Sequence, residues 1–363
     1  IKGGLMALVE DTSLDVLFVG HRDDLLKGFD RVMSEDKDLK RSFEPSAAGL
    51  SYDFENLIRH AETRIGMDDD PTESLKDRRS SLATCLRLVQ SKEADILVTP
   101  GNSGAAVKHA SYDVTHIDKH GKPGFRDAWS NRRKESFEYK PGLIARLPNF
   151  ETGKTVHLCD TGAIRDPTFK SIADNAILMT VYLKIAEGLD NPRIALLNIG
   201  TEPKKGDLLH RQAYNRLKDY HSQGLINFVG NYEPIHALTR DVADGFASGT
   251  QSANVGIKFA EAVASAFKHV LLSSYYKLNS IVRVPIFGPG YARIKHLMES
   301  KTNYKNYGGA FLTGTIFDNV VIAHGSAGEQ EIAGAIKYAA RISGLGINEA
   351  IKYEMKRRHS FFS

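Results

Sequence analysis

The residues best placed to do chemistry are Asn102, Ser103 and Gly104, in the loop Pro100-Gly101-Asn102-Ser103-Gly104. The loop follows the apolar run Ile96-Leu97-Val98 and precedes an alanine-rich stretch from Ala105, the order strand, turn, helix. That order sets Asn102 and Ser103 at a helix N-terminus, where unpaired backbone N–H groups and the positive end of the dipole favour a phosphate or carboxylate. The same residues also fit an ordinary strand-to-helix turn with a capping serine. Three further strand-like runs end in small or polar loops: Asp160-Thr161-Gly162-Ala163, Gly200-Thr201-Glu202-Pro203-Lys204-Lys205-Gly206 and His324-Gly325-Ser326-Ala327-Gly328. In an open parallel sheet the strand C-termini are neighbours, so these loops are expected to converge on one crevice.

The elements that must position them follow from hydrophobic periodicity. Ile1 to Val9 reads as the tail of a helix and Leu14 to Gly20 as a buried strand. His21 to Met33 is helical, with Leu25, Leu26, Phe29 and Val32 on one face, and Lys37 to Tyr52 reads as connecting structure. Leu75, Leu82, Cys85, Leu86 and Leu88 have helical spacing ahead of the Ile96 strand. Strands are expected at Thr155 to Cys159, Arg193 to Ile199 and Val320 to Ala323. Their helices are expected at about Thr168 to Gly188, Asp207 to Lys218 and Glu329 to Ile342. The chain begins at Ile1 with no signal or transit pattern, and a further strand is expected upstream.

Hydrophobic content of 42% and charged content of 25% across 363 residues are ordinary for a globular protein. No apolar run approaches a membrane span, so a soluble or peripherally bound protein is expected. A net charge of +4 permits anionic partners without requiring them. Cys85 and Cys159 form neither a disulfide framework nor a metal-ligand cluster and are expected in the core, which suits a reducing compartment. No metal or cofactor is implied. No GxGxxG follows a strand with the acidic residue that would read a ribose, which disfavours a dinucleotide-dependent dehydrogenase.

Two segments break the α/β rhythm. Ser111 to Tyr139 interleaves His116, Lys119, His120, Lys122, Arg126, Arg132, Arg133 and Lys134 with Phe125, Trp129, Phe137 and Tyr139. It suits RNA or an acidic protein surface, or else a solvated insertion with its aromatics tucked onto the core. Ala253 to Leu272 is helical and continues into the apolar stretch Ile281 to Phe287, flanked by Arg283, Arg293 and Lys295. That stretch fits a membrane interface, a subunit contact or a buried hairpin.

Taken in order, the motifs resemble the PlsX family of phosphate acyltransferases along nearly the whole chain. MDDDP (Met67 to Pro71), RRSSL and EADILVTPGNSGA look like the family's stretch ending in its GNTGA loop. Lys140-Pro141-Gly142 stands at the family's RPA, Leu158 to Ile164 at its LDvGAN and Leu196 to Gly206 at its LLNiGeE..KG. INFVGNYE (Ile226 to Glu233), YGGAFLTG and VVIAHGSAG also match. The resemblance implies a three-layer α/β/α sandwich with a mostly parallel sheet and a protruding helical hairpin (253–300) that touches a membrane. It implies one domain over residues 1–363, usually dimeric, and the basic segment 111–139 is longer than the corresponding family region. The implied reaction joins inorganic phosphate and an acyl carrier protein thioester into acyl-phosphate for phospholipid synthesis, in the cytoplasm or an organellar matrix. The resemblance assigns Lys205 and Lys258 as cationic clamps, Asn102, Ser103 and Gly104 as donors, and His324 with Ser326 as polar partners. It also brings Asp160, Gly162 and Asn254 to the phosphate or substrate site.

Three further departures bear on that assignment. The DAMGGD loop that opens the family's pattern would lie before Ile1. Ile164 stands where LDvGAN has its asparagine. The family's DGFvGN can be laid on Asp244-Gly245-Phe246, with an insertion before Asn254. Alternatively it falls on Gly249-Thr250-Gln251, which preserves the spacing of Glu233, Asn254, Lys258 and Glu261. A catalytically eroded homologue, serving as a subunit or assembly factor of a larger complex such as an organellar ribonucleoprotein, is the competing expectation.

Overall fold

The computed structural model describes residues 1–43, 53–113, 126–127, 140–249, 253–259, 307–315, 319–325 and 327–362, with isolated helical positions between 262 and 293. Helix α1 (Lys2–Glu10) precedes β1 (Phe18–Gly20), α2 (Arg22–Glu35), α3 (Lys37–Ser42) and β2 (Ile58–His60). A 3₁₀ turn (Glu73–Lys76) and α4 (Ser81–Gln90) lead to β3 (Leu97–Thr99), α5 (Ser103–Ser111), β4 (Tyr112–Asp113) and β5 (Arg126–Asp127). Next come β6 (Gly142–Pro148), β7 (Thr155–Cys159), α6 (Phe169–Ala186), β8 (Arg193–Leu197), α7 (Leu208–Ser222), β9 (Asn227–Tyr232), α8 (Pro234–Thr239) and β10 (Gly245–Ala247). Residues 253–259 are helical. The chain ends with β11 (Ala310–Thr313), β12 (Val320–Ile322), α9 (Glu329–Ile342) and α10 (Ile347–Phe362).

The result is the expected α/β class, mostly parallel strands flanked by helices. The chain divides into two compact units, residues 1–145, 181–189 and 305–363 in one and 146–180 and 190–304 in the other. In the first unit β1 and β2 pair in parallel over a core of Leu5, Leu39, Phe54 and Ile58. The Phe29 ring stacks on Phe54 with centroids 4.1 Å apart. A second set of strands has β3 parallel to β12, and β11 antiparallel both to β12 and to the start of β6. Gly308 and Gly309 lead into β11 because nothing larger fits. A methyl on Gly308 would sit 2.1 Å from the Glu331 carbonyl oxygen, and Gly309 has φ +104° with Val321 2.7 Å from where its Cβ would be.

In the second unit the parallel order is β7, β10, β8, β9. Strand side chains alternate, so Val156 and Leu158 join Ala195, Leu197 and Phe246 in one hydrophobic cluster, closed by Ala237 and Ala253. His157 and Cys159 on the opposite face are also buried. A parallel strand buried on both faces is the signature of a sheet covered by helices on each side.

Several boundaries differ from the sequence reading. The first strand is Phe18–Gly20 rather than Leu14 to Gly20. Lys37–Ser42 is helical rather than connecting, because Asp36 accepts from the Leu39 N–H at 3.0 Å and starts a turn that composition does not announce. The helix before β3 begins only at Ser81, capped by Ser80, while Leu75 lies in the separate 3₁₀ turn. Strand β8 stops at Leu197 rather than Ile199, where Asn198 begins to serve its own loop. Cys85 is half-buried, whereas Cys159 is fully buried, and burial pushes the Cys85 thiol up to about 12. The ribbon β4–β5 is what the structure describes of the 111–139 insertion, and the apolar stretch 281–287 lies outside the described residues. Among the described residues no helix is long and apolar enough to cross a membrane.

Gly308→Ala is expected to lose about 2 kcal/mol or more, since the added methyl meets a backbone carbonyl that cannot rotate away. The shift in the urea midpoint at unchanged slope measures it.

Candidate active site

In the first unit the candidate residues gather at the C-terminal ends of β3 and β12. These strands run side by side with Thr99 opposite Ile322, and the Ala323 N–H donates to the Thr99 carbonyl at 2.8 Å. The chain therefore places Pro100 to Gly104 beside His324 and Gly325. Asn102 caps α5: its Oδ1 accepts from the Ala105 N–H at 3.0 Å. Its Nδ2 points the other way, to the carbonyls of Gly66 (3.2 Å), Met67 (3.2 Å) and Asp69 (3.0 Å). Gly104 lies close beneath Pro71, 2.8 Å from where a Cβ would be. Ser103 is exposed, and its N–H and that of Gly104 have no hydrogen-bond partner among the described residues. Those two donors point out of the first turn of a nine-residue helix and are suited to an anion. His324 is exposed, its carbonyl accepting from Ala327, while Ser326 lies outside the described residues.

The 66–76 segment that roofs this loop is shaped by its own carboxylates. Asp69 accepts from the Gly66 N–H at 2.7 Å, and Asp70 from the N–H groups of Thr72 and Glu73. The MDDDP motif is thus first a folding device. A second tie comes from His109, which periodicity and motif reading do not single out. Ser74 Oγ donates to the Pro71 carbonyl at 2.8 Å and lies 3.2 Å from His109 Nε2. A hydroxyl has one proton to give, so this network assigns the Nε2–H tautomer to His109. The imidazole is completely buried, which pushes its pKa down to about 4.

In the second unit the loop after β7 closes on Asp160. This buried carboxylate accepts from the N–H groups of Gly162 (3.0 Å), Ala163 (2.9 Å) and Ile164 (2.8 Å). Asp160 therefore shapes the loop by consuming donors that an anion would otherwise meet. Asn254 joins the same loop, its Nδ2 donating to the Thr161 carbonyl at 2.9 Å. Asp160, Gly162 and Asn254 are accordingly together. Ile164 is a buried side chain.

The loop after β8 is pinned by two buried asparagines that also escaped the sequence reading. Asn198 accepts from the Ile199 N–H and donates to the Lys205 carbonyl, and Asn231 on β9 donates to the Glu202 carbonyl at 2.9 Å. Gly206 has φ +85°, and a Cβ there would lie 2.6 Å from Asn198 Oδ1. Lys205 is exposed, its Nζ 3.6 Å from Glu202. The Glu202 carboxyl is held below its ordinary range by its own backbone N–H and then by Lys205. Lys258 is exposed on the helical residues 253–259, whose Ile257 packs into the core.

The two registers for Asp244 are resolved by geometry. Asp244 precedes β10, takes the Arg193 backbone N–H at 2.7 Å and pairs with the Arg193 guanidinium at 2.8 Å. Ser248, which exchanges bonds with Cys159 and Asp160, stands at the other end of that strand. Four residue-to-residue steps of extended chain separate them by roughly 13 Å. Asp244 is therefore part of the strand-entry ion cluster with Asp241, Arg193 and Lys154, not a neighbour of Asn254. Among the described residues no group of His, Cys, Asp and Glu could hold a metal ion.

The family described as "Fatty acid synthesis protein" matches residues 53–350. The chain is 30% identical over 328 residues to the phosphate acyltransferase of Staphylococcus saprophyticus, covering 88% of this chain and 90% of that protein. Identity to the phosphate acyltransferase of Staphylococcus aureus strain MRSA252 is 29% over 328 residues, with 89% and 90% covered. Among solved structures, a phosphotransacetylase from Streptococcus pyogenes has a TM-score of 0.46 at 15% identity, covering 93% of this chain and 98% of that one.

Two measurements check this geometry. Asp160→Asn puts an NH₂ against one of the three backbone donors and is expected to cost about 1–3 kcal/mol in chemical denaturation. For His109 the folded pKa lies below the unfolded one, so the unfolded state binds the proton first as pH falls. Its contribution is complete above about 6.5 and is lost between there and about 4. Urea unfolding should show a decline of up to roughly 3 kcal/mol across that window. His109→Gln should remove most of that slope.

Proposed function

Because the chain belongs to the PlsX family, we propose that it is a phosphate acyltransferase, forming acyl-phosphate from inorganic phosphate and an acyl carrier protein thioester. The observation that carries this reading is the pair of open N–H donors at Ser103 and Gly104, at the start of α5 and beside His324. They form an anion cradle, and this reaction needs no protein nucleophile. A phosphate oxygen attacks the thioester carbonyl carbon, the carbonyl oxygen takes the negative charge, and collapse expels the carrier's thiolate. Catalysis then rests on holding phosphate in line and stabilising the oxyanion. In this reading Asn102 keeps the cradle in shape, Ser103 and Gly104 bind phosphate, and His324 and Ser326 are its polar neighbours. The family resemblance adds Lys205 and Lys258 as cationic groups, and Asp160, Gly162 and Asn254 as residues that meet phosphate or substrate. The mild positive charge of the chain suits an acidic carrier protein. A homodimer at a membrane surface, in the cytoplasm or an organellar matrix, completes the reading.

Ile164 and Asp244 favour a second reading, a homologue that keeps the fold and serves as a subunit of a larger complex. One apolar side chain stands where the family carries an amide, and the carboxylate that resembles its DGF motif is engaged at the strand entry. Under this reading the basic insertion 111–139 would contact RNA or protein.

Purified protein with acyl carrier protein thioester and phosphate decides between them. Acyl-phosphate should form, and Lys205→Ala should lower kcat/KM roughly 100-fold, the scale of losing one group that stabilises developing charge. No acyl-phosphate from the unaltered chain sinks the enzyme reading and leaves the subunit reading.

A further inference from the structure

We propose that Met67 is a positioning residue that holds the loops after β3 and β12 at a fixed spacing. Its backbone carbonyl accepts from Asn102 Nδ2 at 3.2 Å, on the β3 side. Its side chain reaches the other loop: a Cβ at Gly325 would sit 3.0 Å from Met67 Cε and 3.9 Å from Sδ. One residue thus touches both loops, through its main chain on one side and its thioether on the other. Met67 is also 62% exposed, so hydrophobic burial does not account for where the side chain lies. An unbranched thioether is long enough to span from one loop to the next and adapts to the surface it meets. Gly325 offers it bare backbone, and the absence of a Cβ lets the methyl approach. The contact lies beside the Ser103 and Gly104 donors, so a change in spacing moves His324 relative to the anion cradle. Reactions governed by placement are sensitive to displacements on the ångström scale.

The catalytic consequence rests on the acyl-phosphate reading, whereas the clamp itself does not. The test is a cycle of Met67→Ala, Gly325→Ala and the double variant, with Met67→Leu as the conservative control. Met67→Ala should lower kcat about tenfold, with KM for phosphate within about twofold and the unfolding midpoint unchanged. Met67→Leu should retain most of kcat. Gly325→Ala meets only the far end of a flexible side chain, so it should displace the methyl without unfolding and lower kcat to a similar extent. The double variant should then lose no more than either single one, because both remove the same contact. A Met67→Ala enzyme with unaltered kcat, or losses that multiply in the double variant, overturns the proposal. Amide hydrogen exchange tests the clamp without catalysis. The Ala327 N–H, bonded to the His324 carbonyl at 2.9 Å, should exchange about fivefold faster in Met67→Ala. Unchanged exchange overturns the clamp even if the enzyme is active. Absence of acyl-phosphate from the unaltered chain overturns only the reaction, leaving exchange to decide the clamp.

Discussion

Every parallel strand that ends in a tight loop leaves backbone N–H groups without a ladder partner, and the need to satisfy them governs both halves of this molecule. Three side chains answer it. Asn102 caps α5 with its oxygen and gathers three carbonyls with its nitrogen. Asp160 takes three successive N–H groups, and Asn198 ties both ends of the loop after β8. The choice of side chain follows from what surrounds it. Asp160 accepts from three backbone N–H groups, which suits a carboxylate, whereas Asn102 and Asn198 each stand between a donor and an acceptor, which an amide can serve.

Asn102 satisfies the N–H of Ala105 and leaves those of Ser103 and Gly104 open, so the cap and the open donors are parts of one turn. Asp160 closes its loop more fully, and the buried Ile164 adds no polar group. The β3 loop is thus open to an anion and the β7 loop is internally satisfied. The 66–76 segment reinforces the open one from above. Asn102 holds it near one end and the Ser74 hydroxyl with His109 near the other. A completely buried, neutral imidazole makes that second tie a source of acid sensitivity.

By itself the sequence determined the α/β class, the order of most elements, the family, and the turn Asn102, Ser103 and Gly104 at a helix N-terminus. Those properties are local: alternation, helical spacing and a run of small residues after a strand are visible within a few positions. Ser103 and Gly104 stand at the helix N-terminus that their place after a strand announced, and a helix N-terminus exposes donors wherever it is set. The tertiary structure decided what depends on partners distant in the chain. Asn231 serves a carbonyl 29 residues away and His109 a serine 35 residues away, and no periodicity marks either. Asp244 looked like part of a site motif and is held at the strand entry by Arg193, 51 residues earlier, because parallel pairing sets the two strand starts side by side. Asp160 is the inner brace of its loop, which no local pattern marks, since only the folded turn aims three N–H groups at one carboxylate.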